Sequence, residues 1–294
     1  TVSLAYTGNE VITEGIPGPG EVRDAYSAQF PAILSSMGAK VQGTARLHDD
    51  MDELHRWFQS DSCMASDLLV LTGGSSTSEV DLVRRLLSEL DAHYLFEAVA
   101  VRPGHPCLAA ELPDGRIVLG LPGNPLAAHT ALYSYLPAYL AGVAGQNLPE
   151  LLSVELTEDI PRFKKADARL IPARVTGVKA RPFRRGVKSH MLSAFAQAQA
   201  LVVIPPEGAV AGEKVQALPL TVAPGAAVGL RRATEQAAGA PDQGAGIAQA
   251  DAFDQAEGGG RQTLEQAPAA LARQSLLAHL SQLPVLRRVA AAIA

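Results

Sequence analysis

Residues 68–81 read Leu-Leu-Val-Leu-Thr-Gly-Gly-Ser-Ser-Thr-Ser-Glu-Val-Asp, and leucines at helical spacing follow them. A short apolar strand, a glycine turn and a helix form half of a βαβ unit. Similar apolar runs occupy residues 2–6, 41–47, 98–101 and 117–121. We therefore predict that residues 1–148 form an α/β domain with three layers, in which a mainly parallel sheet carries helices on both faces. In such sheets, ligands bind in the loops that follow the carboxyl ends of the strands.

Residues 149–222 show a different pattern, with short apolar runs separated by proline, glycine and basic residues. This pattern predicts a small C-terminal β domain. Between residues 161 and 190 it carries ten basic residues against one acid, Asp167: Arg162, Lys164, Lys165, Arg169, Arg174, Lys179, Arg181, Arg184, Arg185 and Lys188. The charge alone leaves two interpretations open, an anion-attracting face or an ordinary solvated β surface.

Residues 223–294 are rich in Ala, Gly and Gln and are predicted to be a low-complexity tail. Residues 223–260 have the composition of a disordered linker. Beyond them, leucines at near-helical spacing predict a short helix that is too small to bury a core alone: Leu276, Leu277, Leu280, Leu283 and Leu286.

The composition of the chain excludes several classes of protein. A net charge of −5 argues against a nucleic-acid binder. The two cysteines, Cys63 and Cys107, lack metal-ligand spacing, which fits a reducing compartment. No apolar run is long enough to cross a bilayer, so we expect a cytoplasmic protein without a membrane partner. Because Thr1 leads directly into an apolar strand, we expect the chain to be a piece of a longer protein.

The loop after residue 71 has the composition of an oxyanion site. Gly73 and Gly74 let the backbone approach a ligand, and the amides and hydroxyls of Thr72, Ser75 and Ser76 can hold a phosphate. The alternative is a well-capped turn, in which Ser78 caps the helix and Asp81 completes a capping box. Capping accounts for Ser78 and Asp81 but not for the run of hydroxyl residues behind two glycines.

Two further loops carry similar features. In Gly120-Leu121-Pro122-Gly123-Asn124-Pro125, Asn124 is a natural N-cap and Pro125 a natural first helical residue. The preceding Pro122-Gly123 pair is not needed for capping and would hold backbone amides in fixed directions. Residues 102–106, Arg-Pro-Gly-His-Pro, place Arg102 and His105 around a stiff turn that either grips a phosphate or simply links two strands.

Carboxylates follow several of the predicted strands. Glu10, Asp49 and Asp81 all lie in loops or at helix starts that parallel strands would bring to one edge of the sheet. Carboxylates beside phosphate-binding loops favour Mg²⁺, which prefers oxygen ligands. The alternative is again capping, and Asp50 with Glu53 is predicted to cap its own helix.

Together, and in this order, these motifs resemble those of the molybdopterin molybdenumtransferase family, the MoeA and gephyrin E-domain type. The resemblance covers about three quarters of the chain and rests on the following segments: Thr7-Gly8-Asn9-Glu10 (TGxE), residues 19–24 (PGxIxD), His48-Asp49-Asp50 (RDD), residues 72–81 (TGGxSxGxxD), residues 102–106 (KPGKP), residues 120–125 (GLPGNP), Ala168-Arg169 and Ser189-His190.

The resemblance implies a molybdopterin-binding fold and a reaction. Adenylylated molybdopterin is bound, molybdate is inserted at its dithiolene, and AMP is released with the help of Mg²⁺. It implies that Glu10, Asp49 and Asp81 handle the metal and the adenylate. The remaining implied substrate contacts hold phosphate, pterin or molybdate: Thr72, Gly73, Gly74, Ser75, Ser76, Arg102, His105, Pro122, Gly123, Asn124, Pro125, Arg169 and Ser189.

The sequence departs from the family pattern in three respects. Ser78 replaces a glycine, and Arg102 and His105 replace two lysines, of which only the arginine keeps its charge at pH 7. The two N-terminal domains of the family are missing, although in the family they complete a site shared across a homodimer. Gly258-Gly259-Gly260-Arg261 resembles faintly the start of molybdopterin guanylyltransferases.

Three functions therefore remain open from the sequence. The first is the molybdenumtransferase, acting as a homodimer with other proteins of molybdenum cofactor biosynthesis. The second is a binding module or scaffold that retains molybdopterin without catalysis. The third is a Mg-ATP-dependent molybdopterin adenylyltransferase, which the segment at 149–222 disfavours because those relatives lack it.

Overall fold

The computed structural model describes residues 1–73, 82–185, 188, 191–220 and 267–282. Its first sheet has six strands: β1 (Val2–Thr7), β4 (Val41–Leu47), β5 (Leu68–Thr72), β6 (His93–Glu97), β8 (Leu108–Glu111) and β9 (Ile117–Leu121). Their order is β4-β1-β5-β9-β8-β6. The first four run parallel, whereas β8 is antiparallel to β9 and β6 is antiparallel to β8. The predicted, mainly parallel α/β sheet is confirmed.

Helices cover both faces of this sheet, as the three-layer prediction requires. They are α1 (Phe30–Ser36), α2 (Met51–Phe58), α3 (Asp61–Met64), α4 (Leu82–Glu89) and α5 (Pro125–Val143). The side chains of β1 alternate between the two cores: Leu4 packs with α1 and α5, and Ala5 with α2, α3 and α4. Because both faces are buried, every residue of β1 and β5 is buried, which explains their continuous apolar runs.

The predicted strand at 98–101 is wrong in position. Residues 93–97 and 108–111 are the strands of the sheet, and the segment between them crosses towards the second domain. Only β7 (Val101–Arg102) is extended there, and it pairs in parallel with β11 (Ala168–Thr176). The antiparallel edge was not predicted because the polar ends of β6 weaken its alternating pattern.

The second domain is a small closed barrel. Its strands are β10 (Leu152–Leu156), β11, β12 (Lys179–Pro182), β13 (Ala200–Ile204) and β14 (Lys214–Pro219). They pair in the order β12-β10-β14-β13-β11, and β11 also pairs with β12, so the sheet closes on itself. A separate apolar cluster that includes Val154, Val202 and Val215 fills the interior. The predicted small β domain is confirmed.

A two-strand ladder lies beside the first sheet, where β2 (Val11–Ile12) pairs in parallel with β3 (Val22–Arg23). It folds residues 8–24 into a loop whose ends are close together, because the Val22 amide donates to the Glu10 carbonyl and the Asp24 amide to the Ile12 carbonyl. This loop brings Asp24 back towards the carboxyl end of β1.

The tail contributes a helix, α6 (Ala267–Gln282), which packs on α5. This helix begins before the predicted leucine stretch. Its residues Ala272 and Leu276 are buried in the same core as α5, and Arg273 forms an ion pair with Glu111 at 3.2 Å. The packing explains why α5 is apolar on all sides, since the sheet covers one side and α6 contributes to covering the other. The linker prediction for 223–260 lies outside the described residues, and none of the described helices could span a membrane.

The contact of α6 with α5 predicts a reversed effect for Gly142→Ala. In an exposed helix this change stabilises by roughly 0.5–1 kcal/mol. Here the new Cβ would lie 2.7 Å from the Ala272 Cα and 2.7 Å from the Leu271 carbonyl oxygen. We therefore expect a loss of about 1–3 kcal/mol in thermal or denaturant unfolding, with faster amide exchange in α6. Gln274→Ala, at an exposed position of α6, is the control. A stabilised Gly142→Ala variant would show that α6 does not rest on α5.

Candidate functional site

Four loops meet at one edge of the first sheet because β1, β4, β5 and β9 are parallel and end there. The Thr7 hydroxyl donates to the Thr72 carbonyl at 2.9 Å, and the Gly73 amide donates to the Leu121 carbonyl at 3.1 Å. Gly73 has a φ of +88°, and a Cβ on it would lie 2.5 Å from the Thr7 Oγ1. Only glycine fits this position, so the loops after β1, β5 and β9 are held in direct contact.

The predicted hydroxyl loop is only partly described. Gly74, Ser75, Ser76 and Asp81, with the capping role of Ser78, lie outside the described residues, as does Ser189 of the second domain. Thr72 is fully buried, and its carbonyl receives the Thr7 hydroxyl. Thr72 therefore supports the loop from beneath, and its contact with substrate stays a prediction.

The acids after β1 and β4 lie on adjoining loops. The Asp49 amide donates to the Asn9 Oδ1 at 3.0 Å, and the Asn9 amide donates to the Asp49 Oδ2 at 3.2 Å. This reciprocal pair fixes Asp49 beside Glu10, whose side chain is exposed. The neighbouring Asp50 caps α2 by accepting from the Glu53 amide at 2.9 Å, as predicted. Among the described residues there is no group of three acids, histidines or cysteines arranged for a metal; the third predicted acid, Asp81, is not one of them.

The loop 122–125 is a helix start, as predicted. The Asn124 side chain accepts from the Ala127 amide at 3.3 Å, and Pro125 is the first residue of α5. Gly123 is exposed, and its carbonyl accepts the Tyr26 hydroxyl at 2.7 Å. A Cβ on Gly123 would lie 3.5 Å from the Gly73 Cα, so this loop touches the loop after β5.

A buried cluster under these loops was missed by the sequence reasoning. The side chain of Asp24 is only 5% exposed and forms an ion pair with Arg46. It also accepts hydrogen bonds from the backbone amides of Tyr26 and Ser27, at 2.7 and 3.1 Å. Burial would raise the pKa of Asp24, but these hydrogen bonds and the Arg46 charge hold it below its usual value. The sequence signal was Asp24 itself, which was quoted within a motif but given no role.

Tyr26 links this cluster to the candidate site. Its ring is stacked on Tyr6 at 6.5 Å between centroids. Burial, with the negative charges of Asp24 and Glu10, raises the pKa of the Tyr26 hydroxyl far above its ordinary value. The hydroxyl therefore keeps its proton at neutral pH and remains a donor to the Gly123 carbonyl.

The two predicted arginines lie together in a cleft between the domains. Arg102 and Arg169 are partners in the β7–β11 ladder. Both line a cleft of about 280 Å³, whose other walls include Leu126 of α5 and Phe163 of the barrel. Arg102 forms an ion pair with Asp167, and the Arg169 guanidinium lies 4.9 Å from the centre of the Phe163 ring.

His105 is not among the residues that line this cleft. Its Nδ1 lies 2.8 Å from the Val99 carbonyl oxygen, and the Val99 amide donates to the His105 carbonyl at 2.8 Å. Both contacts close the turn 99–105. The phosphate contact of His105 stays a prediction. The turn itself lies against the start of α5, since a Cβ on Gly104 would be 3.9 Å from the Ala127 carbonyl oxygen.

Comparisons with known proteins match both domains. Residues 4–141 match the family model of a probable molybdopterin binding domain, and residues 153–220 match that of the MoeA C-terminal region, domain IV. A molybdopterin molybdenumtransferase of Staphylococcus epidermidis strain ATCC 35984 is 30% identical over 213 residues, which cover 70% of this chain and 50% of that protein. A molybdopterin molybdenumtransferase of Staphylococcus aureus strain MRSA252 is 27% identical over 214 residues, with the same coverage. The chain thus spans about half the length of these curated relatives.

Solved structures support the fold. The molybdopterin biosynthesis MoeA protein of Pyrococcus horikoshii OT3 superposes with a TM-score of 0.59 at 20% identity, covering 74% of this chain and 52% of that one. A molybdenum cofactor biosynthesis protein of Pyrococcus furiosus gives a TM-score of 0.54 at 18% identity, covering 73% and 66%. With a molybdopterin-binding domain followed by a MoeA C-terminal region, the chain belongs to the MoeA-type family.

Proposed function

We propose that this chain carries the substrate-binding and metal-binding part of a molybdopterin molybdenumtransferase, which inserts molybdate into adenylylated molybdopterin and releases AMP with Mg²⁺. The observation that carries the proposal is the meeting of the Asn9–Asp49 loop pair with the loops at Gly73 and Gly123, next to the arginine cleft. The start of α5 connects the two groups of residues, because Gly123 touches the loop at Gly73 and Leu126 lines the arginine cleft. That arrangement suits a substrate with phosphates along its length.

The acids are assigned to the metal. Glu10 and Asp49 offer carboxylate oxygens on adjoining loops, which is the donor chemistry that Mg²⁺ prefers, and Asp81 is proposed as the third donor. When bound there, Mg²⁺ would neutralise charge on the phosphoanhydride that joins AMP to molybdopterin phosphate. Water cleaves this anhydride, so AMP leaves with one phosphate and molybdopterin keeps the other.

The arginines of the cleft and the start of α5 are proposed to bind the anionic groups of the substrates. Arg169 has no carboxylate within 4 Å among the described residues, so its guanidinium is available for the molybdopterin phosphate or for molybdate. Arg102 is already paired with Asp167, so a ligand anion would have to share it. The exposed Gly123 and the start of α5 would orient the substrate between the two groups.

A second candidate is a binding module that holds molybdopterin without turnover. It is favoured by the family model that residues 4–141 match, which is described as a probable molybdopterin binding domain. The deciding experiment incubates the chain with adenylylated molybdopterin, molybdate and Mg²⁺ and measures both bound substrate and released AMP. AMP release supports the transferase, tight binding without AMP release supports the module, and failure to bind molybdopterin contradicts both.

Asp49→Asn tests the metal assignment against a neighbouring control. Loss of one oxygen charge at the proposed site should reduce Mg²⁺-dependent AMP release by at least about a hundredfold, or, in the module, remove Mg²⁺-dependent substrate binding. Asp50→Asn is the matched control, because asparagine caps a helix as well as aspartate does. Equal losses in the two variants would show that charge on this loop, and not the carboxylate of Asp49, is what matters.

Tyr26→Phe tests whether the buried cluster positions the loop at Gly123. The change removes one hydrogen bond of 2.7 Å and should cost about 1 kcal/mol in denaturant unfolding. Because the Gly123 loop is then less restrained, we also expect weaker molybdopterin binding. Tyr133→Phe is the control, since that hydroxyl has no hydrogen bond within the described ranges. Unchanged molybdopterin binding in the Tyr26 variant would show that the buried cluster does not position the loop at Gly123 for the ligand.

A further inference from the structure

A second cationic concavity lies on the barrel, outside the site assigned above. It has a volume of about 410 Å³, and its lining includes Arg174, Arg181, Arg184, Arg185, Phe183 and Glu158. We call it the arginine depression. It shares the wall Pro182–Phe183–Arg184 with the inter-domain cleft, but Arg102 and Arg169 line only the latter.

Two of its arginines lie directly opposite each other on neighbouring strands. Arg174 on β11 and Arg181 on β12 are direct partners in the antiparallel ladder, and both are exposed. Like charges directly opposite each other destabilise a sheet. If this surface were only solvated, an acid at either position would stabilise the hairpin better than two arginines do, so solvation alone does not explain the pair.

Among the described residues, most of this positive charge has no carboxylate partner. Glu158 pairs with Arg184 at 2.9 Å, and the Asp159 carbonyl accepts from the same guanidinium at 2.8 Å. Over the parts of the chain that the structure describes, no carboxylate lies within 4 Å of Arg174, Arg181 or Arg185. Three guanidinium groups that have no carboxylate partner in the described ranges therefore line one concavity, beside a fourth that Glu158 holds, on a chain whose net charge is −5.

The residue types that line the depression indicate the chemical class of its ligand. All four cations of the depression are arginines, whose planar fork binds phosphate through two parallel hydrogen bonds. Phe183 is half-buried, with the Arg174 guanidinium 5.9 Å from its ring centre, and supplies an apolar wall. The volume lies within the range of small-molecule sites, roughly 300–1,000 Å³, whereas a stable protein partner needs a broad contact area.

We propose that the arginine depression binds a phosphate-bearing small molecule, at a site separate from the one that handles molybdopterin. Arg174, Arg181 and Arg185 hold the phosphate groups, and the ion pair with Glu158 keeps Arg184 at the rim. The proposal goes beyond the proposed function and does not depend on it.

The test titrates the full chain with pyrophosphate by calorimetry and compares it with Arg181→Glu. We expect this variant to lose affinity for pyrophosphate by roughly tenfold or more, because one fork is removed and a repelling charge is added. We also expect its thermal unfolding midpoint without ligand to rise, since Arg174 gains an opposite charge across the ladder. A variant that is more stable and binds less cannot owe its loss of binding to unfolding.

The control is Lys165→Glu, which makes the same change of charge at an exposed position of the same domain. Its affinity should stay close to that of the unchanged chain. Each titration is repeated with Arg169→Gln, which disables the inter-domain cleft. Binding that survives Arg169→Gln and is lost in Arg181→Glu supports the arginine depression whether or not the transferase proposal holds.

Three results would overturn the inference. Equal losses of pyrophosphate affinity in Lys165→Glu and Arg181→Glu would show that the net positive charge of the domain, and not the arginine depression, attracts the ligand. Loss of all pyrophosphate binding in Arg169→Gln alone would place the ligand in the cleft. Binding of an oligoglutamate peptide without binding of pyrophosphate would make the depression a surface for an acidic protein.

Discussion

The parallel alignment of four strands is the constraint on which the candidate site depends. Because β1, β4, β5 and β9 all run in one direction, the loops at Asn9, Asp49, Gly73 and Gly123 reach the same edge although they are far apart in the sequence. Burial on both faces fixes this alignment, since a slip of one residue would turn each strand's side chains into the wrong core. Gly73 then locks the loops together, because only glycine leaves room for the Thr7 hydroxyl.

A shorter ladder has a comparable effect between the domains. The two residues of β7 leave the first sheet and pair with the start of β11, which places Arg102 beside Arg169. The barrel is thereby joined to the α/β domain at the point where these two arginines line the cleft. Arg102 has a carboxylate partner in Asp167 and Arg169 has an aromatic one in Phe163, so the two guanidinium groups differ in how much charge they can offer an anion.

Local patterns predicted local features well. The α/β domain, the β domain and the caps at Asp50 and Asn124 follow from the period of apolar residues and from the chemistry of helix starts, and the structure confirms them. Contacts between distant segments were not predictable in the same way. The ion pair of Asp24 with Arg46 depends on a loop that folds back, and the packing of α6 on α5 joins residues more than a hundred positions apart. The contact of the His105 Nδ1 with the Val99 carbonyl depends likewise on how its turn closes.

The sequence posed capping and ligand binding as alternatives, and in the structure each capping residue is next to a residue proposed to contact a ligand. Asp50 satisfies the first amides of α2, which leaves Asp49 to bond with Asn9 on the adjoining loop. Asn124 caps α5, while the preceding Gly123 remains exposed and is tied to Tyr26 through its carbonyl. In each loop the capping residue fixes the backbone, so that its neighbour is held in one position. Such rigidity reduces the entropy that a bound ligand would cost, and it explains why a good cap and a candidate ligand contact occur side by side in the same short motif.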